Sequence, residues 1–334
     1  MMPPLIILFT YDFSVFGRKT DWVLNLKGLK YFRCIVLNRL PRPVLQQLGV
    51  QYRRIPILAI GRDIYCDTRL IIDKLEELFP ENRISSTSPF EKGLEHLFEN
   101  WLIDGGPFWR TAGLIPPAAE VMHDKEWLQD RTNMTGRKFD IETLKQGRAE
   151  SLSHVRMYFN QMEHELLADG REYILATQEP TLADVHAIWT FDWALQEKGH
   201  MFEYLEKEVI GEDQFPRTFA YVDRFRRAMA RKEAQNGIPE ALSSTDAVNR
   251  ILASDFFEKE GTIDPRDPLK LRKGQLVEIW PVESGFTHHD KGKLVSIGVK
   301  EVVISSRPSV GEGRLRLHFP RVNFRIKPVE ESKL

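Results

Sequence analysis

Cysteine is scarce: Cys34 and Cys66 are the only two among 334 residues. No Cys-x-x-Cys pair occurs, which excludes dithiol exchange chemistry, and the lack of a pairing framework points to a reducing, cytoplasmic compartment. Long apolar runs are missing too. A membrane span needs about 18 consecutive apolar residues, and none exists here, so no membrane partner is expected. The apolar stretch at residues 5–9 is too short and lacks the basic flank of a secretory leader. Net charge is only −1, so no global pull toward nucleic acid or anionic lipid follows. No metal-ligand spacing stands out. His288, His289 and Asp290 have no further ligand at a recognisable distance and read as a polar turn. What remains, with 42% apolar and 28% charged residues, is a soluble chain of two or three domains.

The first eighty residues carry the clearest pattern. Residues 5–10 form a continuous apolar run, as in a strand buried on both faces. Tyr11, Asp12, Phe13 and Ser14 break it, and residues 18–29 then read as a helix. Residues 32–37 suit a second strand, which completes a β-α-β unit. The run at 54–60 is interrupted by Pro56, which cannot donate to a central ladder. A turn at 61–63 leads into a hairpin partner at 64–66. Asp67 or Thr68 caps a helix over 68–79, where Ile71, Ile72, Leu75 and Leu78 recur at helical spacing.

In order and spacing, these pieces resemble the thioredoxin-like N-terminal domain of cytosolic glutathione transferases. The resemblance is good over residues 5–80 and looser over 90–235. Ser14 falls on the position where the family carries its catalytic Ser or Cys, and Tyr11 lies near where other classes place a catalytic tyrosine. Ile55 and Pro56 match the family's Val-Pro, whose cis bond presents backbone to the cysteinyl part of glutathione. Asp67 and Thr68 match its Glu-Ser pair, which holds the γ-glutamyl end. The base that meets the glycine carboxylate stays open among Arg42, Arg53 and Arg54. Three departures stand out: Asp67 is a carbon shorter than Glu, Thr68 replaces Ser, and Val15 stands where many members have proline. The resemblance implies glutathione as cosubstrate, with Ser14 or Tyr11 as the hydroxyl that stabilises its thiolate. Ser14 is the first candidate, and it also reads as an ordinary helix cap, a role that can coexist with the other; Tyr11 reads alternatively as a packed aromatic. Cys34 reads as a buried strand residue. Cys66, just before Asp67, is core filler or a thiol bordering the site.

Residues 80–89 are polar and proline-bounded, a typical junction. From 90 to about 234 the pattern is helical, with a long amphipathic helix over 143–168. Thr181 and Asp184 form a capping box, which in the resembled family opens the central helix of the all-α domain. Phe98, Trp101, Phe108, Trp109 and Arg110 cluster around a break at Gly105, Gly106 and Pro107. With Phe13 and Phe16 they are candidates for an aromatic substrate pocket between domains, or else plain core residues of a bundle. Residues 130–138 look loop-like and basic, suited to a lid.

After residue 264 the character changes. Five short strands separated by glycine turns read as a small β-barrel. Residues 264–334 hold 14 Lys and Arg against 9 Asp and Glu. The charges alternate as on a solvated strand face, without an aromatic stripe, so nucleic-acid binding is not expected. The expected architecture is an α/β thioredoxin-like domain at 1–80, an all-helical domain at 90–240 and a barrel-like all-β domain at 265–334. Such an extension resembles fungal accessory enzymes, often of secondary metabolism. The family usually forms homodimers, through surfaces the extension would block or replace. The expected activity is attack of the glutathione thiolate on a hydrophobic, aromatic or unsaturated electrophile. A non-catalytic scaffold, or a glutathione-independent enzyme reusing the cleft, is the alternative.

Overall fold

The computed structural model describes residues 3–197 and 201–329; the last residues of the expected 265–334 unit lie outside them. The N-terminal part is thioredoxin-like: β1 (Ile6–Thr10), α1 (Val15–Leu26), β2 (Phe32–Ile35), α2 (Pro43–Gln47), β3 (Ile57–Ile60), β4 (Asp63–Cys66) and α3 (Thr68–Leu78). β1 pairs with β2 in parallel, Ile7 opposite Phe32, and with β3 in antiparallel, Leu8 opposite Leu58. All five residues of β1 are buried, which explains its unbroken apolar run. Ile6 and Leu8 join the core shared with the helices, while Ile7 and Phe9 join the one shared with the C-terminal strands.

Among the described residues six α-helices follow: α4 (Pro89–Asp104), α5 (Pro107–Ala112), α6 (Lys125–Thr135), α7 (Ile141–Gln161), α8 (Leu182–Ala194) and α9 (Pro216–Asn236). α8 is buried almost all round, with apolar side chains on every face and Asp184, His186, Thr190 and Asp192 enclosed among them. Its first turn is pinned by Asp184, whose carboxylate accepts from Thr181 N (2.8 Å), Thr181 Oγ1 (2.9 Å), Ile174 N (2.8 Å) and Tyr221 Oη (2.9 Å). Trp22 of α1 meets Phe225 of α9 edge-on at 5.0 Å and locks the two parts together. The loop expected over 130–138 is instead largely α6, which ends at Gly136 in the left-handed region (φ 70°). Asp130 is buried against Arg53 there, so tertiary pairing overrides the polar local sequence. Among the described residues no helix is long and apolar enough to cross a membrane.

The C-terminal strands are where expected, but they do not close into a barrel. After β5 (Glu240–Ala241) and α10 (Ser244–Ala253) come β6 (Leu276–Pro281), β7 (Asp290–Ile297), β8 (Glu301–Ser306), β9 (Leu315–Pro320) and β10 (Phe324–Pro328). β6 to β9 form an antiparallel meander, β10 pairs with β6, and β9 pairs in parallel with β4, Ile64 opposite Leu317. One open ten-stranded sheet results, ordered β10-β6-β7-β8-β9-β4-β3-β1-β2-β5. The free edge of β4 is a template for pairing, and β9 takes it in place of closing a separate barrel. Every residue of β9 is buried.

The start of β7 also braces the approach to β3. Asp290, fully enclosed, accepts from Gln51 N at 2.7 Å. Desolvation pushes its carboxyl up to about 7, against the pull of the amides of Gln51 and Tyr52. A raised carboxyl means the unfolded chain gives up its proton first. Stability contributed by this group is therefore greatest below about pH 4 and falls as pH rises toward 7. Asp290→Asn is expected to remove that decline and leave the fold about 2 kcal/mol more stable than wild type near pH 7.5. Urea unfolding between pH 4.5 and 7.5 checks this; parallel curves for the two proteins would refute it.

Candidate functional site

The turn from β1 into α1 is built around Ser14. Ser14 N donates to Tyr11 O at 2.9 Å, and Ser14 Oγ accepts from Gly17 N at 3.1 Å as the N-cap. The turn is tight: a Cβ on Gly17 would lie 2.0 Å from Thr10 Oγ1, so only glycine fits. Ser14 is buried, yet it lines a cleft of about 680 Å³. Capping uses an oxygen lone pair and leaves the hydroxyl proton free to donate. No acidic residue occupies the first turn of α1, so the positive pole of the helix there is uncompensated. Tyr11 lines the same cleft, its ring edge-on to Phe13 at 5.1 Å.

The other two elements converge on this space. The Ile55–Pro56 bond is cis, and both residues line the cleft. Asp67 caps α3 with φ 76°, its Oδ1 accepting from Arg69 N at 3.1 Å, and Thr68 opens the helix. Both are buried and face the same cleft. The three motifs, separated by up to fifty-four positions, are thus brought together in one hollow.

The basic residues divide. Arg53 is buried against Asp130 at 2.7 Å. Arg42 is committed to backbone carbonyls of Leu37 and Arg53, and burial pushes it down to about 10. Arg54 instead stands beside Asp67, at 3.7 Å, with its guanidinium over the rings of Tyr52 and Phe324 at 5.5 Å each. Cys66 is completely enclosed and its thiol is pushed well up, by burial first and then by Asp290 and Asp67. It is core filler, and Cys34 is buried as well.

The aromatic candidates separate by helix face. Phe13, Phe16, Phe108 and Trp109 line the cleft, with Phe16 edge-on to Phe108 at 5.0 Å. Phe98, Trp101 and Arg110 are not among its lining residues. Trp101, half-buried, packs between Phe98 and Tyr158, and Arg110 turns out to Glu150 at 2.7 Å. Local crowding of aromatics does not say which way each side faces. Sequence reasoning missed Trp127, Trp193, Glu283 and Ser284, all of which line the cleft. No local break or motif marks them.

Among the described residues, the cluster with metal-ligand chemistry is already paired. The ligand-type atoms of Glu258, Glu301 and His318 lie within 4.8 Å of one another. However, Lys74 Nζ already sits 2.9 Å from Glu258 and 3.0 Å from Glu301.

Residues 8–83 match the model of the glutathione S-transferase N-terminal domain, and residues 110–235 match that of a domain of unknown function. A probable glutathione S-transferase of Solanum tuberosum is 24% identical over 100 residues, covering 30% of this chain and 46% of that protein. The chain spans less than half the length of the curated relatives it matches. A GST-like protein from Pseudomonas syringae superposes with TM-score 0.67 at 22% identity, over 97% of this chain and 99% of that one. Its likeness therefore includes the C-terminal strands. A glutathione transferase family member from Pseudomonas fluorescens, solved with two glutathione bound, superposes with TM-score 0.50 at 15% identity, over 70% and 93%. Residues 8–83 thus resemble a glutathione S-transferase N-terminal domain, and the chain shares its overall fold with a GST-like protein.

Proposed function

We propose that the cleft binds glutathione and that the chain is a transferase acting on a hydrophobic, aromatic or unsaturated electrophile. One observation carries this reading: the N-capping Ser14, the cis Ile55–Pro56 bond and the Asp67–Thr68 cap all open into a single cleft. Its volume falls in the range of ordinary small-ligand sites. The bound tripeptide supplies a thiol that loses its proton to solvent. Its anion forms a sulfur–carbon bond, either expelling the leaving group of an aromatic electrophile as an anion or breaking the π bond of an unsaturated one, whose carbanion then takes a proton from solvent. A free thiol, with pKa near 8.5, is only a few per cent anion at neutral pH. The chain's part is to raise that fraction. Ser14 Oγ donates to the sulfur while the amino end of α1 favours negative charge. The Ile55 backbone seats the cysteinyl unit, and Thr68 at the amino end of α3 receives the γ-glutamyl carboxylate. Phe13, Phe16, Phe108 and Trp109, joined by Trp127 and Trp193, form the apolar side where the electrophile sits.

Calorimetric titration with glutathione, followed by a conjugation assay with an activated aryl halide, tests this directly. Micromolar to millimolar binding with turnover is the expected result. Binding without turnover of any electrophile would leave a scaffold, and no binding at millimolar ligand would end the glutathione reading.

A further inference from the structure

One wall of the cleft comes from outside the thioredoxin-like and helical parts. The loop joining β6 to β7, residues 282–289, reaches back over the polar end, and its Glu283 and Ser284 line the cleft with Asp67 and Thr68. The loop is held firmly. Gly285 N donates to Met134 O of α6 at 2.7 Å. Gly285 has φ 70°, and a Cβ there would come within 3.0 Å of Arg53 Cγ. His289 stacks on Trp280 with ring centres 4.1 Å apart and planes 7° off parallel.

Glu283 is thereby delivered to a defined corner. Arg54 Nη1 stands between two carboxylates, 2.9 Å from Glu283 Oε1 and 3.7 Å from Asp67 Oδ2. Arg69 lies 3.8 Å from Glu283 Oε1 and 2.7 Å from Asp104 Oδ2. Two guanidinium groups thus face three carboxylates, and the corner is one positive charge short. It is short of hydrogen bonds as well. Glu283 Oε2 lacks a donor, and Arg54 Nε, Arg54 Nη2 and Arg69 Nε lack acceptors, although all four atoms are shielded from water and the Arg69 side chain is only 5% exposed. Leaving charged groups buried and unpaired is costly. A primary ammonium seated at Glu283 and Asp67 would supply the missing charge and the donor that Glu283 Oε2 lacks, and a carboxylate on the same α-carbon would offer acceptors to the orphaned arginine donors.

We infer that Glu283 is a ligand-binding residue, receiving with Asp67 the α-ammonium of the γ-glutamyl end. This rests on the glutathione reading above and adds a residue to it from the far end of the chain. The C-terminal strands are then part of the binding site, and they select for a ligand whose amino group is free.

The test titrates full-length wild type and Glu283→Gln with two ligands, glutathione and its deaminated analogue glutaryl-Cys-Gly, by calorimetry at pH 7. Wild type should prefer glutathione by about tenfold or more, and the glutamine variant should lose about tenfold toward glutathione but little toward the analogue. Glu283→Asp, which keeps the charge on a shorter stem, should recover part of the preference. Equal losses for both ligands, or none for either, would overturn the role of Glu283 while leaving glutathione binding standing. Absence of heat from wild type with glutathione would overturn the underlying reading and this one together.

Discussion

Alanine at position 14 is expected to lower the rate of thiol addition about a hundredfold at pH 7, with glutathione affinity changed by only a few-fold. Donors aimed at a developing anion typically contribute factors of this size, and a shift of two units in the thiol pKa has the same consequence at a pH below it. The sign follows from which form the hydroxyl favours. Ser14 Oγ stabilises the anion, so its loss moves the rate profile to higher pH, and most of the deficit should disappear above about pH 9. Losing the N-cap costs about 1 kcal/mol of stability, a penalty that would not move a pH profile. Initial rates of Ser14→Ala and Tyr11→Phe from pH 6 to 10 distinguish the two hydroxyls. A fall and shift in Tyr11→Phe alone would transfer the role to Tyr11, which lines the same cleft. If both variants keep the wild-type profile, neither hydroxyl activates the thiol.

Three parts of this site could be read from the sequence because they act through their own backbone. Ser14 and Asp67 cap the helices they precede, and Pro56 constrains its own peptide bond; each leaves a local mark in residue type and order. Phe98 and Trp101 looked like pocket residues because they are close in sequence to Phe108 and Trp109. The direction of a side chain depends on the partner of its helix, and these two, half-buried on α4, pack against one another and Tyr158 instead of lining the cleft. Glu283 could not be found locally at all, since the Arg54 it pairs with is 229 residues away. The barrel expectation failed for a related reason. Alternating short strands specify that strands form, but the partner of β9 was decided by the free edge of β4.

That junction gives the second large effect. Replacing Asp63 by asparagine is expected to destabilise the protein by about 3–5 kcal/mol, the usual cost of breaking a buried ion pair on one side. Asp63 on β4 is fully buried, and among the described residues the hydrogen bonds its carboxylate accepts come from the C-terminal part. Arg316 donates from Nε at 2.6 Å and from Nη2 at 2.9 Å; His318 Nε2 lies at 3.0 Å, and the amides of Phe257 and Glu258 donate at 2.8 and 3.0 Å. Burial alone would raise this carboxyl, but His318 and Arg316 outweigh it and hold it near 2. Its contribution, roughly 2 kcal/mol by linkage, is present above about pH 4 and lost as pH falls through 2. His318 has the opposite sign. Burial disfavours its charge, yet Asp63 and Glu301 together raise its pKa, so its contribution is complete below about pH 6 and lost as pH rises through the raised value. Asp63→Asn should therefore flatten both edges of the stability profile. It should also expose the stretch between α10 and β6 to limited proteolysis, because the amides of Phe257 and Glu258 lose their anchor. Wild-type resistance to protease in the variant, with unfolding curves unchanged from pH 3 to 8, would show that β4–β9 pairing holds the C-terminal sheet without this carboxylate.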